Sequence, residues 1–194
     1  MTPPQLLTSS KEDWETPQQF WDRLDDEFFF DLDAAAHEYN PKCGLYLTED
    51  DDALSNPWPE VIEETEDEDA IEIVSPYINP PYGKGNHMGK WMQQIQKQSM
   101  RSCYRQVVSL VASRTDTVWW HELVMPLADE VRFVRGRLLF EVDGKPAQHY
   151  DKRSGTMKNS PATFPSAVVV WRRVPQMRSR NVPLFTSMPA KEAA

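Results

Sequence analysis

The chain has 194 residues, room for one domain with its own core and hardly for two. No apolar run approaches the ~20 residues of a membrane-crossing helix, and residues 1–10 lack the basic start and apolar stretch of a secretory signal, so the chain reads as cytosolic. The net charge of −9 argues against a polyanionic partner until it is divided: residues 1–82 carry 22 acidic and 3 basic side chains, whereas residues 83–194 carry 8 and 18. A basic half joined to an acidic half suggests a polyanion-facing surface; the alternative is two solvated faces.

Sixteen prolines against seven glycines, with seven tryptophans, suit a compact fold with long, stiff loops. Cys43 and Cys103 make neither a metal-ligand spacing nor a disulfide framework, and no metal site is read.

In chain order, residues 1–13 read as a loose leader. A helix is expected to start at Thr16, with Thr16 as cap, Pro17 in the first turn and Gln19 completing a capping box. Phe20, Leu24 and Phe28 recur every four residues on one face of it. Residues 28–33 read as a buried strand ending in acids, followed by Ala34-Ala35-Ala36. The acid-rich run over residues 60–69 has no apolar period and reads as a surface insertion. Residues 71–78 are strand-like, with Pro76 expected to break or shorten the ladder.

Met88, Trp91, Met92 and Ile95 have helical spacing, and residues 106–112 form a second buried-strand candidate. Thr115 is expected to cap a helix carrying Val118, Trp119 and Leu123. Residues 130–134, 138–142 and 166–171 read as strands, and a polar loop separates the last two. Residues 14–174 are expected as the domain, and 175–194 as a mobile tail. Strands alternating with helices, then a strand-rich end, give an α/β fold with three layers and an antiparallel C-terminal edge.

Asn79-Pro80-Pro81-Tyr82, directly after a strand, carries the strongest chemistry. An aromatic amine such as adenine N6 is a poor nucleophile because its lone pair is delocalised into the ring. Two acceptors on its hydrogens free that lone pair, and the Asn79 side-chain oxygen and the Pro80 carbonyl can supply them. Pro80 and Pro81 stiffen the turn, and Tyr82 can stack on a base swung out of the duplex. As a bare tetrapeptide, the motif is equally a rigid surface turn.

The second signal is Asp31-Leu32-Asp33-Ala34-Ala35-Ala36. Ligands of open α/β sheets bind beyond the carboxyl ends of strands. Small residues there admit a ligand closely, and Asp31 and Asp33 can meet a cofactor's ammonium. Three alanines stand where most S-adenosylmethionine sites have a glycine-rich turn.

Together, Trp14-Glu15-Thr16-Pro17, Phe30-Asp31-Leu32-Asp33-Ala34-Ala35-Ala36, Asp52-Ala53-Leu54 and Asn79-Pro80-Pro81-Tyr82 resemble the phage-type DNA N-6-adenine-methyltransferase (Dam) family. The likeness continues through Arg114-Thr115-Asp116-Thr117, Trp119-Trp120-His121 and Arg135-Gly136-Arg137-Leu138, and covers roughly residues 14–171. It implies a Rossmann-like methyltransferase domain that transfers a methyl group from S-adenosylmethionine to adenine N6 at specific DNA sites. By resemblance, Thr16 and Pro17 hold the methionine end of the cofactor and Asp33 and Asp31 lie beside it. Asp52 contacts the cofactor's adenine amine, and Ala53 and Leu54 line that pocket. The acid for the cofactor ribose cannot be placed.

Lys84, Arg114, Arg135 and Arg137 are candidate phosphate contacts, and Phe164 is a candidate second wall of the base pocket. The polar loop over residues 145–158 is a candidate recognition loop. Two rival readings stand beside this one: a methyltransferase of RNA adenine or protein glutamine, and an acidic DNA mimic without activity. The setting would be the cytoplasm, that of the host cell if the chain is phage-encoded.

Overall fold

The computed structural model describes residues 14–59, 61–62, 71–72, 75–82, 87–173 and 183–190. Seven strands make its central sheet: β1 (Leu32–Asp33), β2 (Leu45–Tyr46), β3 (Pro76–Ile78), β4 (Gln106–Ala112), β5 (Glu130–Arg135), β6 (Ser166–Arg172) and β7 (Leu184–Pro189). Their order is β2-β1-β3-β4-β6-β5-β7. β6 runs antiparallel to both of its neighbours, and every other pairing is parallel.

The antiparallel element is therefore interior, whereas the sequence places it at the edge. The reason lies in β6 itself: Ser166 through Trp171 are buried on both faces, and such a strand needs neighbours on both sides. Leu184–Pro189, within the stretch expected as a tail, is instead the edge strand, and its exposed and half-buried residues suit that place. The leader over residues 1–13 lies outside the described residues.

Helix α1 (Gln18–Phe28) covers one face of the sheet. Its Phe20, Trp21, Leu24 and Phe28 pack with Val108, Leu110, Val168 and Val170. The other face takes α2 (His87–Ser99) through Trp91, Met92 and Ile95, and a π-helical turn, Trp120–Val124, that leads into Met125–Leu127. Against them stand Val107, Val111, Val131 and Val169. Alternate residues of β4 and β6 thus feed opposite cores, as the period of two in a strand dictates. Removing one such side chain, Leu24 for example, costs roughly 2–5 kcal/mol.

Three local expectations change. Thr16 does not cap α1: its hydroxyl is buried and shares a 2.6 Å hydrogen bond with the Tyr77 hydroxyl. The helix opens instead on the Pro17 carbonyl, which accepts from the N–H groups of Phe20 and Trp21. Phe28 ends α1 rather than starting a strand, because the Asp25 carbonyl accepts from Phe29 N–H and its carboxylate from Phe30 N–H, both at 2.8 Å. Phe29 takes a left-handed conformation there (φ 52°).

The run over 71–78 divides in two. Ile71–Glu72 pairs antiparallel with Val61–Ile62, while Pro76 opens β3, opposite Leu32. The rest of the acid-rich run, residues 60 and 63–69, lies outside the described residues. Thr115 caps nothing; the Arg114 carbonyl accepts from Thr117 N–H and from the Thr117 hydroxyl, and the Thr117 carbonyl accepts from Trp120 N–H. Only Glu141–Val142 of the expected 138–142 strand pairs, with Lys145–Pro146 across a turn at Asp143 and Gly144. Nor is 145–158 a plain loop, since Gln148–Asp151 and Thr156–Asn159 form an exposed hairpin. No helix among the described residues is long and apolar enough to cross a membrane.

Candidate active site

β1 connects outward to β2 on one side, whereas β3 and β4 lie in turn on the other, so the strand order reverses between β1 and β3. Open α/β sheets bind ligands at such a reversal, beyond the carboxyl ends of the strands. A cavity of about 380 Å³ lies there. Thr16, Asp33, Ala34, Asp52, Ala53, Leu54, Asn79 and Pro81 line it, which brings four separate sequence segments to one place. Pro17, Asp31, Pro80 and Tyr82 do not line it. Asp31 is turned away from it, its two carboxylate oxygens each accepting at 3.1 Å from Ser75 N–H, ahead of β3.

Asp33 ends β1. The main chain around it is tied to both neighbouring strands, with Ala34 N–H donating to the Tyr77 carbonyl and Leu47 N–H to the Asp33 carbonyl, each at 2.8 Å. Its carboxylate is buried and accepts from the N–H groups of Ala35 (3.3 Å) and Lys42 (3.0 Å). Burial pushes its pKa up from 3.8 to about 6, against the opposing pull of those two N–H groups and of the Lys42 charge. A buried carboxylate in a cavity favours a cationic ligand group. Ala34, Ala35 and Ala36 carry no more than a methyl each, so a ligand can approach the backbone without a glycine turn.

The second wall is the turn at Asp52, left-handed (φ 45°), whose N–H donates to the Glu49 carbonyl. Thr48 and Asp51 close a capping box just before it, the Asp51 carboxylate accepting from Thr48 N–H at 2.7 Å. Two buried side chains hold the next residue in place. The Ala53 carbonyl accepts from Trp58 Nε1 at 2.8 Å and from Gln94 Nε2 at 3.0 Å. The Asp52-Ala53-Leu54 wall is thereby tied to α2.

Asn79 comes directly after β3, on the cavity side. Its Nδ2 donates to the Trp14 carbonyl at 2.6 Å, while its Oδ1 is buried with no hydrogen-bond partner among the described residues. A buried acceptor left open costs about 1–3 kcal/mol, and in a cavity it is an acceptor held ready. The Trp14 carbonyl is itself held, because Glu15 and Glu141 exchange N–H···O bonds at 3.0 and 2.9 Å. The Glu15 carboxylate accepts from Asp143 N–H and Gly144 N–H at 3.0 Å each, and from Asn40 Nδ2.

Tyr82 joins an aromatic group beside the cavity. Its ring centroid lies 4.9 Å from Phe164 and 6.3 Å from Phe140, and Phe164 stacks on Trp14 at 5.5 Å. The Tyr82 hydroxyl is buried without a partner among the described residues, and burial pushes its pKa well above the usual tyrosine range.

β4 and β5 point the same way, and the segment before antiparallel β6 returns to the same end of the sheet. Arg114, after β4, Arg135, at the end of β5, and Arg137 therefore stand with Phe164 at the cavity end, and all three arginines are exposed. Lys84 lies outside the described residues. Among the described residues, no group of three His, Cys, Asp or Glu could hold a metal.

Sequence reasoning leaves out Trp14, Glu15, His37, Asn40, Lys42, His87 and Trp91, which also line the cavity. One signal was available: Lys42 is one of three basic residues in the acidic first 82.

A search of curated proteins returned no match. A family model described as DNA N-6-adenine-methyltransferase (Dam) matches residues 4–183, most of the chain. The likeness read from the motifs thus extends over nearly the whole sequence: the chain belongs to the Dam family and is an enzyme that methylates adenine N6 in DNA.

Proposed function

We propose that the cavity between β1 and β3 holds S-adenosylmethionine, with the target adenine presented to Asn79 at its inner side. The unpartnered Asn79 Oδ1 is the observation that carries this reading. Its partner-facing Nδ2 is already committed to Trp14, so the amide cannot turn, and the oxygen stays available as an acceptor. With the Pro80 carbonyl as a second acceptor, the amine's two hydrogens are drawn away from the ring plane and its lone pair is freed.

The residues fit the cofactor. A volume of about 380 Å³ is within the range of small-molecule pockets, Asp33 offers a buried carboxylate to a cation, and the alanine turn leaves the backbone open. Asp52, on the cavity lining, is the candidate acid to accept from the cofactor's adenine amine, with Ala53 and Leu54 beside it. Bound there, S-adenosylmethionine supplies an electrophilic methyl group on a sulfonium. The sheet, with helices on both faces and one inserted antiparallel strand, suits the Rossmann-like class.

Tyr82 and Phe164 are the candidates for stacking on an extruded base, and Arg114, Arg135 and Arg137 for phosphate contact. The exposed hairpin over residues 148–159, with Lys152 and Arg153 at its turn, interrupts the connection from β5 to β6 and is the candidate DNA-reading element. The test is transfer of label from S-adenosylmethionine to duplex DNA, single-stranded RNA and protein extract, each with native protein and with Asn79→Ala. Label in DNA adenine that is lost with Asn79→Ala supports the reading. Undiminished transfer by the variant overturns the proposed role of Asn79.

A further inference from the structure

The hairpin over residues 148–159 has two chemically different faces. Its register sets Gln148 opposite Asn159, His149 opposite Lys158, Tyr150 opposite Met157 and Asp151 opposite Thr156. Side chains alternate along a strand, so Gln148, Tyr150, Met157 and Asn159 share one face and His149, Asp151, Thr156 and Lys158 the other. On the second face the Asp151 carboxylate accepts from Lys158 Nζ, and from Arg153 N–H at 2.8 Å, so its charge is engaged within the hairpin. On the first face Tyr150 and Met157 form a cross-strand pair, yet they are 48 % and 55 % exposed. Next to them Gln148 Nε2 donates to Asn159 Oδ1 at 3.4 Å. Gln148 Oε1 can still accept there and Asn159 Nδ2 can still donate.

The root of the hairpin is tied to the aromatic group beside the cavity. Ala147 N–H donates to the Phe140 carbonyl at 2.8 Å, and Ser160 N–H to the Ala147 carbonyl at 2.7 Å. Phe140 is buried, with its ring centroid 6.3 Å from Tyr82 and 6.0 Å from Phe164. The Gln148–Asn159 pair therefore stands at the root, and Tyr150–Met157 two residues further out. Residues 145–159 carry four basic side chains and one acid, within a chain of net charge −9. That local excess complements a polyanion.

A two-stranded ribbon fits the major groove of duplex DNA, where each base pair shows a distinct edge. An acceptor beside a donor complements the N6–H and N7 edge of adenine, and apolar side chains complement the thymine methyl group. We infer that Gln148, Asn159, Tyr150 and Met157 form the base-reading face of the hairpin and select A·T pairs flanking the target adenine. The face of Asp151 and Lys158 is turned from the bases. This rests on the hairpin as the DNA-reading element proposed above and names the side chains that do the reading.

The test uses a library of DNA duplexes in which one adenine is fixed and its flanks are randomised. Methylated members are identified by sequencing that detects modified adenine. Native protein should favour particular flanks containing A·T pairs. Gln148→Ala and Asn159→Ala should each relax the preference at the same flanking position by about tenfold, the scale of one good pair of base contacts. Tyr150→Ala and Met157→Ala should relax a neighbouring position that prefers thymine. His149→Ala and Thr156→Ala, on the other face, should keep the native preference.

Native protein indifferent to the flanks overturns the inference. So does an unchanged preference in Gln148→Ala and Asn159→Ala, at whatever overall rate, or a preference that moves with His149→Ala and Thr156→Ala instead. Replacing residues 148–159 by a short glycine-serine linker separates this failure from that of the hairpin itself. Native duplex affinity and native preference in that variant overturn the hairpin as a DNA element together with its reading face. Lowered affinity, with native preference in the point variants, overturns the reading face alone. The six point variants lie at exposed positions, so they decide the matter even where the linker variant does not fold.

Discussion

The side-chain amide of Asn79 and the main-chain carbonyl of Trp14 are joined at 2.6 Å across 65 residues of sequence. That bond fixes which end of the amide faces the cavity. It ties Trp14, ahead of α1, to the Asn79-to-Tyr82 turn.

The first expected outcome comes from this bond. On the proposed reading, Asn79→Ala removes one acceptor from the target amine and leaves the Asp33 wall intact. Turnover should fall by about 10²–10³, corresponding to roughly 2.7–4 kcal/mol for a positioned polar group. S-adenosylhomocysteine affinity should stay near that of native protein. Single-turnover methylation and titration measure the two effects separately.

Glu15 holds the Trp14 segment, the turn at Asp143 and Gly144, and Asn40 together. Glu15→Ala should release all three. Amide exchange at Asp143 and Gly144 should accelerate, and turnover should fall as the Trp14 carbonyl loses its anchor. Exchange rates unchanged from native protein would show that the Glu15–Glu141 main-chain pairing suffices alone.

Asp33 yields a pH prediction. Its folded pKa of about 6 exceeds the ordinary 3.8, so between these values the folded state binds more protons than the unfolded one. By linkage its contribution to stability is greatest below pH 3.8 and is lost as pH rises through 6. Asn offers one acceptor oxygen for the N–H groups of Ala35 and Lys42, so the pH trend is the test: the stability of ligand-free Asp33→Asn relative to native protein should shift in the variant's favour by about 2–3 kcal/mol from pH 4 to pH 8. Urea unfolding at the two pH values checks this. An ammonium ligand requires the ionised carboxylate, so S-adenosylhomocysteine should bind native protein more tightly at pH 7 than at pH 5.

The Tyr82 hydroxyl is buried without a partner among the described residues, while its ring packs on Phe164. Tyr82→Phe removes the unpaired group and keeps the ring. Stability should be unchanged or up to about 1 kcal/mol higher, and turnover should persist. Tyr82→Ala should lose turnover, and the contrast between the two variants assigns the role to the ring.

Duplex DNA affinity should fall with salt at a slope near −0.9 per phosphate neutralised. Arg153→Ala, at the turn of the exposed hairpin, should flatten that slope by about one unit and leave cofactor affinity unaltered. An unchanged slope would remove the hairpin from the DNA face.

Some of this was fixed by local pattern. Gln106–Ala112 and Ser166–Arg172 are legible as buried strands because their runs of β-branched side chains suit no surface, and α2 is legible from Trp91, Met92 and Ile95 at helical spacing. The Asn79-to-Tyr82 turn and the Asp33 segment announce themselves by residue type, the Asp52 segment only through the family resemblance, and all three reach one cavity. Partners distant in sequence decided the rest. Asp31 and Asp33 look equivalent in sequence, yet Ser75 N–H takes one while Lys42 N–H takes the other. Thr16 has the chemistry of a cap but is buried against Tyr77, 61 residues away. The place of β6 between β4 and β5, the pairing of β7 with β5, and the meeting of Lys42 with Asp33 all depend on which segments lie side by side. Local propensity is written residue by residue, whereas burial and pairing are properties of the assembled sheet, so only the tertiary structure could decide them.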